Sequence, residues 1–191
     1  MVPMNLSPLT QLQEDRKRAQ SRNDPLADLC TLATATVEGQ PSARVLVLRG
    51  LTESNLELQI NRTSPKWQQL EANPRYELLI YYPSLSVQYR LQGSWEVAQG
   101  QGAESWLKKH PRARALDELY SQVAQSSPIE SHEQLQRWVQ GTAATHMPEG
   151  VATLLLLPRR VEIWREAQDR VHLRSLYELC DDLWRHTPIM P

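Results

Sequence analysis

Residues 42–49 read Ser-Ala-Arg-Val-Leu-Val-Leu-Arg, and Gly50 follows them. Aliphatic residues bracketed by two arginines are unusual, because guanidinium groups are rarely buried without a partner. The run predicts a β-strand on which Arg44 and Arg49, separated by an odd number of positions, point to opposite faces. One arginine could then meet a phosphate while the other reaches around the strand end. Spacing alone favours the simpler interpretation, in which both arginines are solvated at the ends of a hairpin strand.

Further strand-like stretches lie on both sides of this segment. The pattern of apolar residues and turn signals predicts strands over 30–37, 42–49, 56–60, 76–82, 87–97, 152–157, 160–165 and 170–176. In the stretch that begins at Val87, apolar and polar residues alternate. Gln88 and Arg90 are therefore expected on one face of the sheet, opposite the apolar side chains.

Helix signals occupy three other parts of the chain. Ser7 and the proline after it predict a helix that runs to about residue 22, and Ser64 with Pro65 predicts a second that ends near residue 73. Residues 103–140 have a helical pattern in three pieces, broken by Pro111 and by residues 126–128. The last piece opens on a capping box.

This order of elements indicates the fold class. Two groups of strands surround a helical insertion, which predicts a mainly β (α+β) protein, an antiparallel barrel with peripheral helices. The spacing is too irregular for a βαβ series. We expect a single domain over 1–191, with an N-terminal helix within 1–23 and a helical insertion at 103–140.

Composition excludes several classes of protein. The 191 residues include 21 Lys and Arg against 22 Asp and Glu, a net charge of -1, which argues against nucleic-acid binding by bulk charge. The longest apolar run, 151–157, is too short to span a membrane, so we expect a soluble, cytoplasmic protein. Cys30 and Cys180 form no CxxC pair, and the five histidines lack metal-ligand spacing, so neither a disulfide framework nor a metal site is expected.

Common catalytic signatures are missing from the sequence. It contains no GxGxxG, P-loop, HExxH or GxSxG, and no Ser or Cys nucleophile stands beside a base. If the protein is an enzyme, a cofactor is expected to supply the difficult chemistry.

Residues 42–49 resemble the FMN-binding strand of pyridoxine/pyridoxamine 5'-phosphate oxidases. Other strings follow in the order of that family, from about residue 24 to 185. They are Asn61, Ser64-Pro65-Lys66, Asn73-Pro74-Arg75, residues 87–93, Gln125-Ser126-Ser127, residues 161–164, residues 170–174 and Trp184. The resemblance implies an antiparallel split β-barrel of the FMN-binding type. It also implies a homodimer with two FMN sites at its interface and a small-molecule substrate.

The resemblance further implies a set of cofactor contacts. Arg44 and Lys66 would meet the FMN phosphate, and Gln88 would offer its amide to the flavin. Trp164 and Arg174 would flank the isoalloxazine ring. The implied cofactor-binding residues are Arg44, Val45, Leu46, Val47, Leu48, Arg49, Gln59, Ile60, Lys66, Gln88, Gln125, Ser126, Trp164 and Arg174.

The same resemblance implies where a substrate would bind. Arg49, Arg170 and His172 stand at positions where the family contacts its substrate, and Arg170 and His172 are the implied catalytic residues. Arg49 replaces a lysine, which keeps the charge but changes its geometry. His110 and Arg114 are the implied contacts to a substrate phosphate.

Several positions depart from the family pattern. Pro65 replaces an arginine that binds phosphate, and Gln59 and Ile60 replace a Tyr-Thr pair. Trp106, His110 and Arg114 replace the Tyr, Arg and Ser that bind the substrate phosphate. The leading hypothesis is an FMN-dependent oxidoreductase that oxidises pyridoxamine or pyridoxine 5'-phosphate. The alternatives are a flavin reductase or other FMN-dependent reductase, and a non-catalytic protein that binds flavin or haem. Turnover of the phosphorylated vitamer, oxidation of NADH, or tight binding without turnover would separate them.

Overall fold

The computed structural model describes residues 7–99 and 102–191, so the first six residues of the predicted N-terminal segment lie outside the described residues. The helices in this part of the chain are α1 (Pro8–Ser21), α2 (Pro65–Ala72), α3 (Ala103–Leu107), α4 (Pro111–Leu119) and α5 (His132–Gly141), with a 3₁₀ helix at Pro83–Leu85. The strands are β1 (Leu29–Ala35), β2 (Pro41–Val47), β3 (Gly50–Leu51), β4 (Leu56–Asn61), β5 (Tyr76–Tyr82), β6 (Val87–Val97), β7 (Val151–Arg165), β8 (Leu173–Cys180) and β9 (Leu183–Ile189).

Serine side chains begin the predicted helices. Ser7 Oγ accepts from the Leu9 N–H at the start of α1, and Ser64 Oγ accepts from the Trp67 N–H at the start of α2. Ser131 Oγ accepts from the Gln134 N–H at 3.1 Å and caps α5. Each cap satisfies a backbone donor that the first turn of a helix leaves unpaired.

The sheet is antiparallel and strongly curled. Its strands follow the order β2-β1-β5-β6-β7-β4-β3, and β8 and β9 extend from the far end of β7. The two ends of this path, β2 and β3, are separated in sequence only by Leu48 and Arg49. Six strand spacings would separate them by roughly 29 Å in a flat sheet, whereas the linking residues span only about 10 Å. The sheet must therefore curl, and the predicted split-barrel class, mainly β with peripheral helices, is confirmed.

Side chains on the inner face of the curled sheet form the core. Apolar residues at alternate positions of β1, β4, β5, β6 and β7 point inward and are almost fully buried. They include Leu32, Leu56, Leu58, Ile60, Leu78, Ile80, Tyr89, Leu91, Leu154 and Leu156.

A buried carboxylate fastens α1 to the sheet. Asp15, only 3% exposed, accepts from Tyr89 Oη on β6 and from Arg165 Nη2 on β7, both at 2.6 Å. Burial, and then the Asp15 charge, raise the pKa of Tyr89, so its hydroxyl stays protonated and donates.

Several strands differ from the expectation. The strand predicted over 42–49 ends at Val47, so Arg49 lies in the link to β3, a strand that was not predicted. The strand predicted over 170–176 is β8, which begins only at Leu173 and runs to Cys180.

Residues 152–157 and 160–165 were predicted as separate strands, but they form the single strand β7. The register of β6 against β7 shifts between Gln92 and Gly93, and Pro158 lies opposite Gly93 at this bulge. A bulge accommodates a proline that cannot donate to the ladder, so β7 continues through it. Strand β9 was not predicted, because its side chains are mostly exposed and carry little apolar pattern.

The segment predicted as a helical insertion contains α3, α4 and α5, with the predicted break before Pro111 and a second break that is longer than predicted, over residues 120–131. No helix within the described ranges is both long enough and apolar enough to cross a bilayer.

Gly93→Ala should destabilise the protein strongly. A β-carbon at this position would collide with the Leu157 carbonyl oxygen and lie 2.8 Å from the Arg159 nitrogen, both backbone atoms that cannot move aside alone. We expect a loss of at least about 2 kcal/mol in unfolding free energy, measured by denaturant titration. Gly141→Ala is the control, since nothing lies within 4 Å of the added carbon, and its change should stay within about 0.5 kcal/mol. Equal stability of the two variants would contradict the role of the bulge.

Candidate cofactor site

Arg44 lies on the core-facing side of β2, close to α2. It is directly opposite Leu32, which is fully buried, and residues paired in this way point to the same face. Its guanidinium donates to Leu32 O at 3.1 Å, Thr34 Oγ1 at 2.7 Å and Gln69 Oε1 at 3.3 Å. All three acceptors are neutral. Burial lowers the pKa of Arg44, although the group stays charged at any physiological pH.

Lys66 stands beside this arginine, in the first turn of α2. Lys66 is 8% exposed, and its ammonium donates to Gln125 Oε1 at 2.9 Å. Burial and the nearby Arg44 charge, partly offset by Asp117, lower the pKa of Lys66 to about 8. The Gln125 backbone N–H in turn donates to Thr63 Oγ1, and Ser126 follows in a left-handed conformation with φ 74° and an exposed side chain.

Arg44 and Lys66 together place two positive charges where an anion could bind. In the described part of the chain, neither cation has a carboxylate within ion-pair distance. Two desolvated like charges repel each other, and an anion bound between them would offset this repulsion. A phosphate dianion would neutralise both, and the free N–H groups at the start of α2 favour it further. These residues therefore fit the phosphate of FMN, even though Pro65 cannot donate.

Strand β2 itself is an edge of the sheet. Among the described residues it pairs with β1 alone, so no strand in that part of the chain covers its second edge. Val45 and Val47 point outward with 63% and 39% exposure, whereas Leu46 is half-buried and Leu48 is buried in the core. The predicted cofactor strand thus presents backbone groups at its edge and apolar side chains on its outer face.

Gln59 and Ile60 lie apart from the cation pair. Ile60 is buried in the core at 1% exposure, so only its backbone could meet a ligand. Gln59 Nε2 donates to Gly102 O and Ser105 Oγ, which ties this side chain to α3. Its Oε1 is buried and has no hydrogen-bond partner in the described part of the chain.

A second group of predicted residues forms one row across three strands. Gln88 on β6 is directly opposite Trp164 on β7, and Trp164 is opposite Arg174 on β8. Gln88 lies between two buried apolar residues of β6, so this row is on the outer face of the sheet. Arg174 donates to Glu162 Oε1 at 2.6 and 3.1 Å and to the Met190 carbonyl oxygen at 3.1 Å.

The predicted catalytic residues adjoin this row. The ring of His172 packs on Trp164 with centroids 4.9 Å apart, and its Nδ1 accepts from the Ala167 N–H at 3.3 Å. Arg170 is exposed at the turn before β8, in a left-handed conformation with φ 66°.

The other predicted substrate residues, Arg49, His110 and Arg114, lie in the β2–β3 link and at the start of α4. Arg49 is half-buried in the link between β2 and β3, and Arg114 on α4 lies over the ring of Trp106, with its guanidinium carbon 5.6 Å from the centroid. His110 is exposed, and its Nδ1 accepts from the Arg112 N–H, so it caps α4.

Four polar residues near these groups were not predicted. Thr34 and Gln69 bind Arg44, and Lys109 forms an ion pair with Asp117 beside Trp106. Gln69 could have been found from its helical spacing to Lys66, which places both on one side of α2. Lys109 and Asp117 lie on either side of a helix break, and no sequence pattern links them.

The two groups of cofactor residues do not meet within one chain. Arg44 faces inward from β2, while the row of Gln88, Trp164 and Arg174 faces outward from β6, β7 and β8. Strands β1 and β5 lie between β2 and β6, a separation of roughly 14 Å along the sheet. Each chain therefore carries two separate parts of the predicted site.

Comparisons with known proteins identify the family to which the chain belongs. Residues 8–99 match the family model described as pyridoxamine 5'-phosphate oxidase, FMN-binding domain. A pyridoxine/pyridoxamine 5'-phosphate oxidase of Pseudomonas putida (strain GB-1) is 33% identical over 171 residues, which cover 86% of this chain and 79% of that protein. The enzyme of the same name from Acinetobacter baumannii (strain SDF) is 34% identical over 168 residues, covering 84% and 77%.

Two solved structures share the fold. PhzG from Burkholderia lata 383, in complex with tetrahydrophenazine-1-carboxylic acid, has a TM-score of 0.88 at 22% identity and covers 99% of this chain and 95% of its own. A pyridoxamine 5'-phosphate oxidase-related, FMN-binding protein from Nostoc punctiforme PCC 73102 has a TM-score of 0.80 at 22% identity, covering 98% and 100%.

FMN affinity should fall as the pH rises above about 8, the pKa of Lys66 without ligand. Below that pH the ammonium is charged and ready for the phosphate, whereas above it binding must first take up a proton. The dissociation constant should therefore increase by up to tenfold per pH unit, measured by quenching of flavin fluorescence from pH 7 to 9.5. Lys66→Arg keeps its charge throughout, so its affinity should stay flat. A flat wild-type profile would contradict the assignment of Lys66.

Proposed function

We propose that this chain, which belongs to the pyridoxamine 5'-phosphate oxidase FMN-binding family, oxidises pyridoxamine or pyridoxine 5'-phosphate with FMN as its cofactor. The observation that carries the proposal is the desolvated pair of Arg44 and Lys66, which has no carboxylate partner in the described residues. The names of the relatives at 33% and 34% identity support the choice of substrate.

We further infer that the protein acts as a homodimer whose two FMN sites each use both chains. One chain would supply Arg44 and Lys66, and its partner would supply the row of Gln88, Trp164 and Arg174. The opposite orientation of these two groups within one chain supports this arrangement.

An exposed apolar patch on the outer face also supports the homodimer. Val45, Leu79 and Tyr81 lie on the outer side of β2 and β5, and Val45 and Tyr81 are 63% and 39% exposed. Tyr81 is directly opposite Gln88, so the patch is continuous with the row of cofactor residues. Exposed apolar surface of this kind is typical of protein interfaces.

Bound FMN supplies a ring that accepts a hydride from the substrate and passes the electrons to dioxygen. The residues of the chain bind and orient the reactants. His172 Nδ1 accepts a backbone hydrogen bond, so in the neutral ring the proton is on Nε2, which can donate to the substrate. Packing against Trp164 fixes the plane of this imidazole. Arg49 would attract the anionic group of the substrate, and Arg170 would close over it from the β7–β8 turn.

Turnover of the FMN-loaded protein tests the substrate. With pyridoxamine 5'-phosphate, dioxygen and water, we expect pyridoxal 5'-phosphate, ammonia and hydrogen peroxide in equal amounts. Pyridoxine 5'-phosphate should give the aldehyde and peroxide without ammonia. Product is measured by absorbance, and peroxide by a coupled peroxidase. A protein that binds FMN but converts neither compound would contradict the proposed substrate.

A reductase of another substrate is the second candidate. It is favoured by His110, which is exposed and caps α4 although its position implied a contact to the substrate phosphate. Oxidation of NADH or NADPH by the same preparation, without conversion of either vitamer, would support the reductase.

Complementation between two defective variants tests the shared site. Arg44→Ala should weaken FMN binding by about 1.5–3 kcal/mol, because a charge-assisted contact to phosphate is lost, and Trp164→Ala should weaken binding by removing the ring beside the flavin. A heterodimer of the two, isolated through two affinity tags, contains one intact site if each site uses both chains. We expect it to bind one FMN per dimer with wild-type affinity by fluorescence titration. A heterodimer no better than its parents would contradict the shared site.

A further inference from the structure

An almost buried ion pair lies beside the predicted substrate residues. Lys109 Nζ donates to Asp117 Oδ2 at 2.7 Å, and the two side chains are only 9% and 14% exposed. Its neighbour Lys108 forms a similar pair with Glu104, but there the side chains are 72% and 87% exposed. Surface pairs such as the second contribute little, whereas a buried ammonium needs a partner.

Asp117 holds more than the lysine. The same oxygen, Oδ2, accepts from Trp106 Nε1 at 2.7 Å, and Trp106 is fully buried. Arg114 lies over that indole, and its Nε is buried without a hydrogen-bond partner among the described residues. The Asp117 carboxylate therefore holds Lys109 and Trp106 directly. It also orients the indole ring over which Arg114 lies.

The charges around this carboxylate do not cancel. Burial lowers the pKa of Lys109, Asp117 opposes this shift, and Arg49 is near enough to lower the pKa further. Asp117 also reaches Lys66 electrostatically. The region thus holds Arg49, Lys109 and Arg114 against two carboxylates, Asp117 and Glu57, in addition to the two cations assigned to the FMN phosphate. This surplus of positive charge fits a second anion.

We propose that Lys109, held in place by Asp117, recognises the anionic group of the substrate together with Arg49, in the role that sequence position implied for His110. An ammonium has three donors, and Asp117 takes one of them, so two remain for a ligand. Asp117 is a positioning residue in this arrangement. The inference rests on the proposed function and specifies which residues select the substrate.

Two inert probes test the inference on the FMN-loaded protein. 4-Deoxypyridoxine 5'-phosphate and 4-deoxypyridoxine lack the group that is oxidised and differ only in the phosphate, so the ratio of their dissociation constants measures anion recognition. We expect calorimetry to show at least tenfold tighter binding of the phosphorylated probe to the wild type. Lys109→Met should reduce this preference at least tenfold, and Lys109→Arg should retain most of it.

Lys108→Met is the matched control, because it removes the same charge one position away from the pair. The preference of this variant for the phosphorylated probe should stay within twofold of that of the wild type. FMN affinity within twofold of the wild type serves as the check that each variant is folded.

Asp117→Asn separates positioning from net charge. The amide oxygen can still accept from Trp106, but Lys109 loses its ionic partner, so we expect the preference for the phosphorylated probe to fall at least threefold. A purely electrostatic role predicts the opposite, because removing a negative charge makes the pocket more positive. A rise in preference would overturn the positioning role.

Three results would overturn the inference as a whole. The wild type could fail to prefer the phosphorylated probe, Lys109→Met could leave the preference unchanged, or Lys108→Met could reduce it equally. These results are independent of turnover. If pyridoxamine 5'-phosphate is not oxidised, the proposed function fails, while the preference between the probes still decides the role of Lys109.

Discussion

Leu48 and Arg49 are the only residues between β2 and β3, so the two ends of the sheet must meet. This closure brings β2 beside β4, and α2 follows β4 almost directly in the chain. Arg44 on β2 and Lys66 on α2 consequently become neighbours. In an open sheet the same arginine would be solvated at an edge, as its sequence spacing alone suggests. The proximity of these two cations is therefore a consequence of how the sheet curls.

The curling of the sheet also brings together two cations that have no carboxylate within ion-pair distance among the described residues. Arg44 and Lys66 have lost much of their water and lie close together, and the lowered pKa of Lys66 reflects both effects. Core packing and neutral hydrogen-bond acceptors stabilise the arrangement without neutralising it. A strongly perturbed pKa of this kind is typical of functional sites, because burial and like charges are arranged there to tune reactive or binding groups. The fold thus places together the two cations that we propose for the FMN phosphate.

Local patterns predicted most elements correctly, and the exceptions have identifiable causes. The strands at 76–82 and 87–97 were predicted to the residue, the first from its run of aliphatic and aromatic residues and the second from its alternation of apolar and polar positions. The predicted break inside β7 was wrong because a glycine on the neighbouring strand accommodates Pro158. In the site, the resemblance to the family identified Arg44 and Lys66, which the structure brings together. It missed Lys109 and Asp117, whose pairing depends on how α3 and α4 pack.

The sequence by itself determined where helices begin, which side chains of each strand share a face, and which residue types could bind an anion. Those properties depend on neighbours within a few positions, through capping, side-chain alternation and charge. Only the tertiary structure decided which charges are neighbours and which lack a counter-ion. It also decided that Arg44 faces inward while the row of Gln88, Trp164 and Arg174 faces outward. Such relations depend on strand register and barrel closure, which bring together residues that are distant in the chain, and Coulomb interactions depend on distance in space.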